Sequence, residues 1–181
     1  MDTEDVWKLI AQARAGLGED AEDAEAVAER LVDLLEEREP AEIVAFAQPL
    51  WDLLAMSYRT ELWAAAYLIN GGCSDDGFEY FRGWLIAQGR TVYQQALSDP
   101  DSLAGVPAIL AAHAEDNDNV ECEAILSVAW DAYEAATGEE LPKDAYQVSY
   151  PELDFSFDFE DHDEMRRRLP RLTTLYYGAI S

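Results

Sequence analysis

Histidine and cysteine are nearly absent from this chain, which has two of each in 181 residues. With only His113 and His162, a histidine-rich zinc site is excluded. Cys73 and Cys122 form no C-x-x-C pair, and two cysteines build no disulfide framework at this length. Positive charge is also scarce: 12 Lys and Arg stand against 38 Asp and Glu, a net charge of −26. Such a surface repels nucleic-acid phosphates and anionic lipid headgroups, so no direct binding to DNA, RNA or a membrane is expected. The longest apolar run, Leu62 to Ile69, is far short of a bilayer span. The opening "MDTEDVWKLI" carries acids where a signal or transit peptide needs cations, so a soluble, cytoplasmic protein is expected. The phosphate loop, the dinucleotide fingerprint, the nucleophile elbow and the H-E-x-x-H motif are all missing, so no catalytic residue and no cofactor can be named.

Core-forming material is plentiful. The chain is 49% hydrophobic and carries five Trp, nine Tyr and six Phe, enough for one domain over residues 1–181. Helical periodicity dominates. Val6, Leu9, Ile10 and Ala13 share one face, and Val27, Leu31, Leu34 and Leu35 repeat the pattern opposite an acidic face. Pro40 suits a helix start, with Ile43, Phe46, Ala47, Leu50 and Leu54 as the buried stripe. Leu62 to Ile69 is apolar nearly all round and reads as the central helix, stopped by Gly71 and Gly72. Helices are also expected over about 75–88, near Val92 to Leu97, and over about 120–136, the last closed by Gly138. The fold class is therefore all-α: one irregular domain of about eight helices.

The tail has another rhythm. In "LDFSFDFE" Leu153, Phe155, Phe157 and Phe159 alternate with Asp154, Ser156, Asp158 and Glu160, the pattern of an extended acidic–aromatic arm over 152–160 laid on the helical body, with a disordered segment that docks on a partner as the alternative. Arg166, Arg167, Arg168 and Arg171 follow, and pairing with acidic helices of the same chain is expected.

Three acidic stretches invite a ligand reading. "DNDNVECEAILS" fails as a calcium loop, with Glu121 where the turn needs glycine and Ser127 where a bidentate Glu belongs; an acidic helix N-terminus explains it better. "DHDE", from Asp161 to Glu164, reads as a helix start. The third is "GGCSDDGFEYFRGW". Ser74 suits an N-cap, and Asp75 and Asp76 suit the first turn facing the helix dipole. Gly77 stands where a capping glutamate would serve better, which asks for close approach of another backbone. Arg82, set among aromatics, should be buried and paired with Asp75, Asp76 or Glu79. The ligand-binding alternative uses the same atoms: Cys73, Ser74, Asp75, Asp76, Glu79 and Arg82 as a small-molecule site, or the carboxylates around Mg²⁺ or Ca²⁺. Cys73, beside a helix N-terminus, would have its thiolate stabilised. The charge itself suits solubility first, then a basic protein partner or, less well, imitation of DNA.

The segment "LWAAAYLINGGCSDDGFEYFRGWLIAQGRTVYQQALSDPDSLA", Leu62 to Ala104, resembles the core of the bacterial domain-of-unknown-function family 4240 (DUF4240). "VWKLI" near the start, "AYEAATG" at Ala132 to Gly138 and "LPRL" at Leu169 to Leu172 extend the likeness. The resemblance implies a mostly helical bacterial protein and brings no activity. It singles out Gly71, Gly72, Cys73, Ser74, Asp75, Asp76, Phe78, Phe81, Arg82 and Trp84 as matching the family's pattern.

Overall fold

The computed structural model describes residues 1–178. Among these the secondary structure is entirely helical, with ten α-helices rather than about eight, and two 3-10 turns. In chain order they are α1 (Thr3–Leu17), α2 (Ala24–Glu36), α3 (Pro40–Met56), α4 (Thr60–Ile69), α5 (Asp75–Ala87), α6 (Arg90–Ser98), α7 (Pro107–Ala114), α8 (Ala124–Thr137), α9 (His162–Arg168) and α10 (Pro170–Tyr177). The 3-10 turns are Gly18–Glu22 and Pro100–Gly105. Helix α7 escapes a periodicity reading because "PAILAAHA" is apolar on most sides and shows no stripe.

Local chemistry sets the helix ends. Asp2 and Asp5 cap one another's backbone N–H groups at the start of α1, and the Asp23 carboxylate accepts from Glu25 and Ala26 at the start of α2. Pro40, Pro107 and Pro170 each open a helix, where a missing N–H costs nothing. Gly138 closes α8 in a left-handed conformation.

The most extensive helix pairing is α2 against α8, flanked by α1 and α3. The apolar faces read from the sequence meet there, with Val6, Ile10, Val27, Leu31, Ile43, Ile125 and Val128 all buried. Helix α4 is buried on nearly every side, as its composition requires, and packs against α5, α10 and the second 3-10 turn. Among the described residues no helix is long and apolar enough to cross a membrane.

The acidic stretch before α8 does not begin a helix. Residues 117–122 run without regular structure beside α5, and α8 starts only at Ala124. Two side-chain-to-backbone bonds impose this path: Asn70 Nδ2 donates to Val120 O at 3.3 Å, and the Val120 N–H donates to Asn70 Oδ1 at 2.9 Å. The Cys122 N–H then donates to Tyr80 O at 2.9 Å. The crossing is so close that a Cβ on Gly83 would lie 2.4 Å from the Cys122 carbonyl oxygen.

Residues 139–160 contain no helix, and side chains tie them to the body. Gln48 exchanges two hydrogen bonds with the Gln147 backbone, Trp51 stacks on Tyr146 at 4.9 Å, and Thr60 Oγ1 donates to Asp154 O at 2.9 Å. Leu153, Phe157 and Phe159 are half-buried against the body, so the arm docks. Phe155 breaks the alternation, with 58% of its surface exposed. The tail arginines pair partly within α9, Arg166 with Asp163 and Arg167 with Glu164, and partly across the fold. Arg168 meets Glu164 and Glu61, and Arg171 meets Asp99 and Asp101.

Candidate functional site

Helix α5 begins as a Ser-capped helix should. Ser74 Oγ accepts the Gly77 N–H at 3.1 Å, and Asp75 and Asp76 stand exposed in the first turn. Gly77 has a different reason for its missing side chain from the one its sequence suggested. A Cβ there would meet side-chain oxygens, Glu121 Oε1 at 3.1 Å and Ser74 Oγ at 3.3 Å; the close backbone crossing is at Gly83.

Arg82 is almost fully buried, and its principal partners are backbone carbonyls. Nη1 donates to Leu54 O at 2.6 Å and Nε donates to Phe78 O at 3.2 Å. Leu54 lies in the last turn of α3, where carbonyls lack helical partners and the helix dipole favours a cation. Its only ion pair among the described residues is Glu79, at 3.8 Å; neither Asp75 nor Asp76 reaches it. Glu79 accepts a shorter bond, 2.7 Å, from the Tyr150 hydroxyl. The guanidinium carbon lies 4.8 to 5.0 Å from the ring centres of Tyr150, Phe78 and Tyr58. Three rings and one carboxylate thus enclose a cation that the chain itself supplies.

The ring array continues past this filled cage. Trp63 stacks on Phe78 at 4.8 Å, meets Phe155 edge-on at 5.6 Å, and donates its indole N–H to Cys73 O at 3.0 Å. Phe159 lies 5.6 Å from Tyr67 and 5.4 Å from Phe157. Between these rings is a cleft of about 330 Å³, walled by α4 and Cys73 on one side and by the arm on the other. Asp158 and Glu160 complete its lining. Glu160 accepts a long contact, 3.5 Å, from the Tyr67 hydroxyl, whose pKa is raised by burial and by the Glu160 charge. Asp158 Oδ1 accepts the Glu160 N–H at 2.9 Å. Among the described residues neither carboxylate has a cationic partner.

Two features singled out separately in the sequence therefore meet here, the GGCS turn and the aromatic arm. Of the candidate residues, Cys73 borders the cleft, Glu79 and Arg82 belong to the neighbouring cage, and Ser74, Asp75 and Asp76 lie at the exposed start of α5. Trp63 and Tyr67 escaped sequence reasoning as site residues, and Asp158 and Glu160 entered it only as the polar face of the arm. The period of the arm gave its inward face but not the surface it would meet. Burial raises the Cys73 thiol to about 12, with the Glu121 charge adding to the shift and Arg82 opposing it. The thiol stays protonated at neutral pH, so the helix N-terminus does not make it a nucleophile. Among the described residues no group of three or more His, Cys, Asp or Glu side chains converges as a metal site requires. A second concavity, of about 480 Å³, lies between Glu22, Asp23, Glu25, Glu115 and Glu121, with Trp84 at its wall.

No curated protein and no solved structure matches the chain. The profile of the protein family of unknown function DUF4240 matches residues 1–135, which takes in α1 to α7, most of α8, the Arg82 turn and the α4 wall of the cleft, and ends before the arm. The chain belongs to the DUF4240 family.

Proposed function

We propose that this is a cytoplasmic binding protein, one folded unit over its whole length, that holds a basic protein partner against its acidic surface. The contact is centred on the cleft between α4 and the arm. The observation that carries this reading is the disposition of positive charge. Every arginine in the chain is engaged internally: Arg14 and Arg59 on backbone carbonyls, and Arg30, Arg38, Arg82, Arg90, Arg166, Arg167, Arg168 and Arg171 in ion pairs. Lys8 pairs with Asp5, and among the described residues Lys143 is the one Lys or Arg side chain without a hydrogen bond or ion pair. Among the described residues no cation of the chain pairs with Asp158 or Glu160 at the cleft, and a basic partner would supply one. Two unpaired cysteines suit a reducing compartment, and the net charge disfavours nucleic acid as the partner.

A synthetic Lys-Gly repeat peptide provides the test, titrated by calorimetry at low and moderate salt. Asp158→Asn with Glu160→Gln should weaken binding about five- to tenfold, because a peptide docked on the neighbouring rings would shield these charges from water. Glu36→Gln with Glu37→Gln removes the same charge from the exposed end of α2 and should change affinity less than about twofold. Equal losses from the two double variants would reduce the interaction to net charge and overturn the proposed site.

A further inference from the structure

We infer that the cleft of Trp63, Tyr67, Phe155 and Phe159 receives a lysine ammonium group from the partner, and receives it better when the nitrogen is methylated. This rests on the basic-partner reading and specifies the chemical group that enters the site. The neighbouring cage shows what the fold does with a cation: Arg82 lies among Tyr58, Phe78 and Tyr150 with Glu79 at the edge. Trp63 lines the cleft and stacks on Phe78 of that cage, so the two sites are adjacent. In the cleft the same ingredients recur, rings plus Asp158 and Glu160, and among the described residues no cation of the chain pairs with those carboxylates.

Arg168 comes nearest, 4.0 Å over Phe157, but its charge is answered by Glu164 and Glu61. The cleft is also open at Phe155, which is 58% exposed, so a side chain can enter from a neighbouring molecule's surface.

Hydrogen-bonding capacity selects between cations. Arg82 places two of its N–H donors on backbone carbonyls. In the cleft the corresponding carbonyl, Cys73 O, already accepts the Trp63 indole N–H. Asp158 and Glu160 are the charged acceptors of the lining, and each already accepts one contact. A guanidinium brings five N–H donors, an ammonium three, and a trimethylammonium none. Each methyl replaces an N–H that would need water with apolar surface that the rings can cover, while the positive charge stays over their faces.

The test uses the intact protein and four versions of one basic peptide, with lysine, trimethyllysine, arginine or norleucine at a single position. Trimethyllysine should bind about three- to tenfold tighter than lysine, with arginine and norleucine weaker than lysine. Phe155→Ala should erase the methyl preference; the ring is exposed, and a native helical circular-dichroism spectrum of the variant excludes loss of folding. Norleucine binding as well as trimethyllysine, or Phe155→Ala leaving the preference intact, would overturn the inference. Binding of all four peptides with equal affinity would leave the basic-partner reading standing, whereas no binding by any of them would count against that reading itself.

Discussion

Arg82 illustrates how far a single residue could be read in advance. An arginine flanked by Phe81 and Trp84 in an apolar helix had to be buried, and a buried guanidinium had to find acceptors. Its carboxylate neighbours were the local candidates, and Glu79 does sit near. The stronger acceptor, Leu54 O, lies 28 residues earlier in the chain. Nothing in the spacing of α5 could identify it, because that contact exists only once α3 and α5 are packed together. The distances separate the two roles: 2.6 Å to the carbonyl and 3.8 Å to the carboxylate, whose side chain is also 30% exposed. Arg82→Leu should therefore destabilise the protein by about 3 kcal/mol, since it removes the shortest bond to Leu54 O, leaving that carbonyl the Ser57 hydroxyl alone, and empties the ring-enclosed cage of its charge. Glu79→Gln should cost less than about 1 kcal/mol. Urea denaturation of both variants measures the difference; equal costs would make the ion pair, and not the cap on α3, the stabilising contact.

At the scale of elements, α5 shows two glycines with opposite consequences. Both interrupt a helix, where glycine is less favourable than alanine by about 1 kcal/mol. Gly77 faces the ends of side chains, Glu121 and Ser74, which can move by a few tenths of an ångström. Gly83 faces the Cys122 carbonyl, fixed by the Cys122–Tyr80 hydrogen bond and by Asn70. Gly77→Ala is therefore expected to be near neutral in thermal unfolding, whereas Gly83→Ala should cost about 1–3 kcal/mol through overpacking. If both variants unfold at the wild-type temperature, the loop before α8 can shift away from α5. The sequence carried a signal for strain at Gly77, the missing capping glutamate, and none at Gly83, where "FRGW" looks like ordinary helix. The same asymmetry runs through the rest of the fold. Elements with a clear stripe, such as α2 with Val27, Leu31, Leu34 and Leu35, were legible down to their buried residues. Helix α7 has no polar face to contrast with its apolar one, and the path of residues 117–122 depends on the distant Asn70. Likewise the arm showed its period-two face, but the cleft it forms needed Trp63 and Tyr67 from α4 to complete it.

For the molecule as a whole the dominant quantity is the net charge of −26. Many of the ion pairs are exposed, including Arg90–Glu4 at 2.6 Å and Lys8–Asp5 at 3.0 Å, and salt weakens them. The same salt screens repulsion among the acids that have no cation to meet. With 38 acids and 12 bases, and nearly every base already engaged, repulsion is the larger sum. Raising NaCl from about 10 to about 150 mM shortens the screening length from about 30 to about 8 Å, so the melting temperature should rise. A fall would mean that the ion pairs outweigh the self-repulsion. The pH dependence follows the same balance with signs set by particular groups. Burial raises Glu121 above its ordinary 4.5, so the folded state takes up that proton first, and stability from this group grows as pH falls toward 4.5. Asp5, bonded to Lys8, and Glu164, bonded to Arg167 and Arg168, are held below 3.8 and 4.5; their contribution is present above those values and lost as pH falls through the lowered ones. The melting temperature should therefore be highest at mildly acidic pH, above 4.5, and decline on either side. Glu121→Gln should flatten the decline on the neutral side while leaving the acid limb in place, because among the described residues it removes the one side-chain carboxyl whose pKa partial burial raises, and it touches none of those held low.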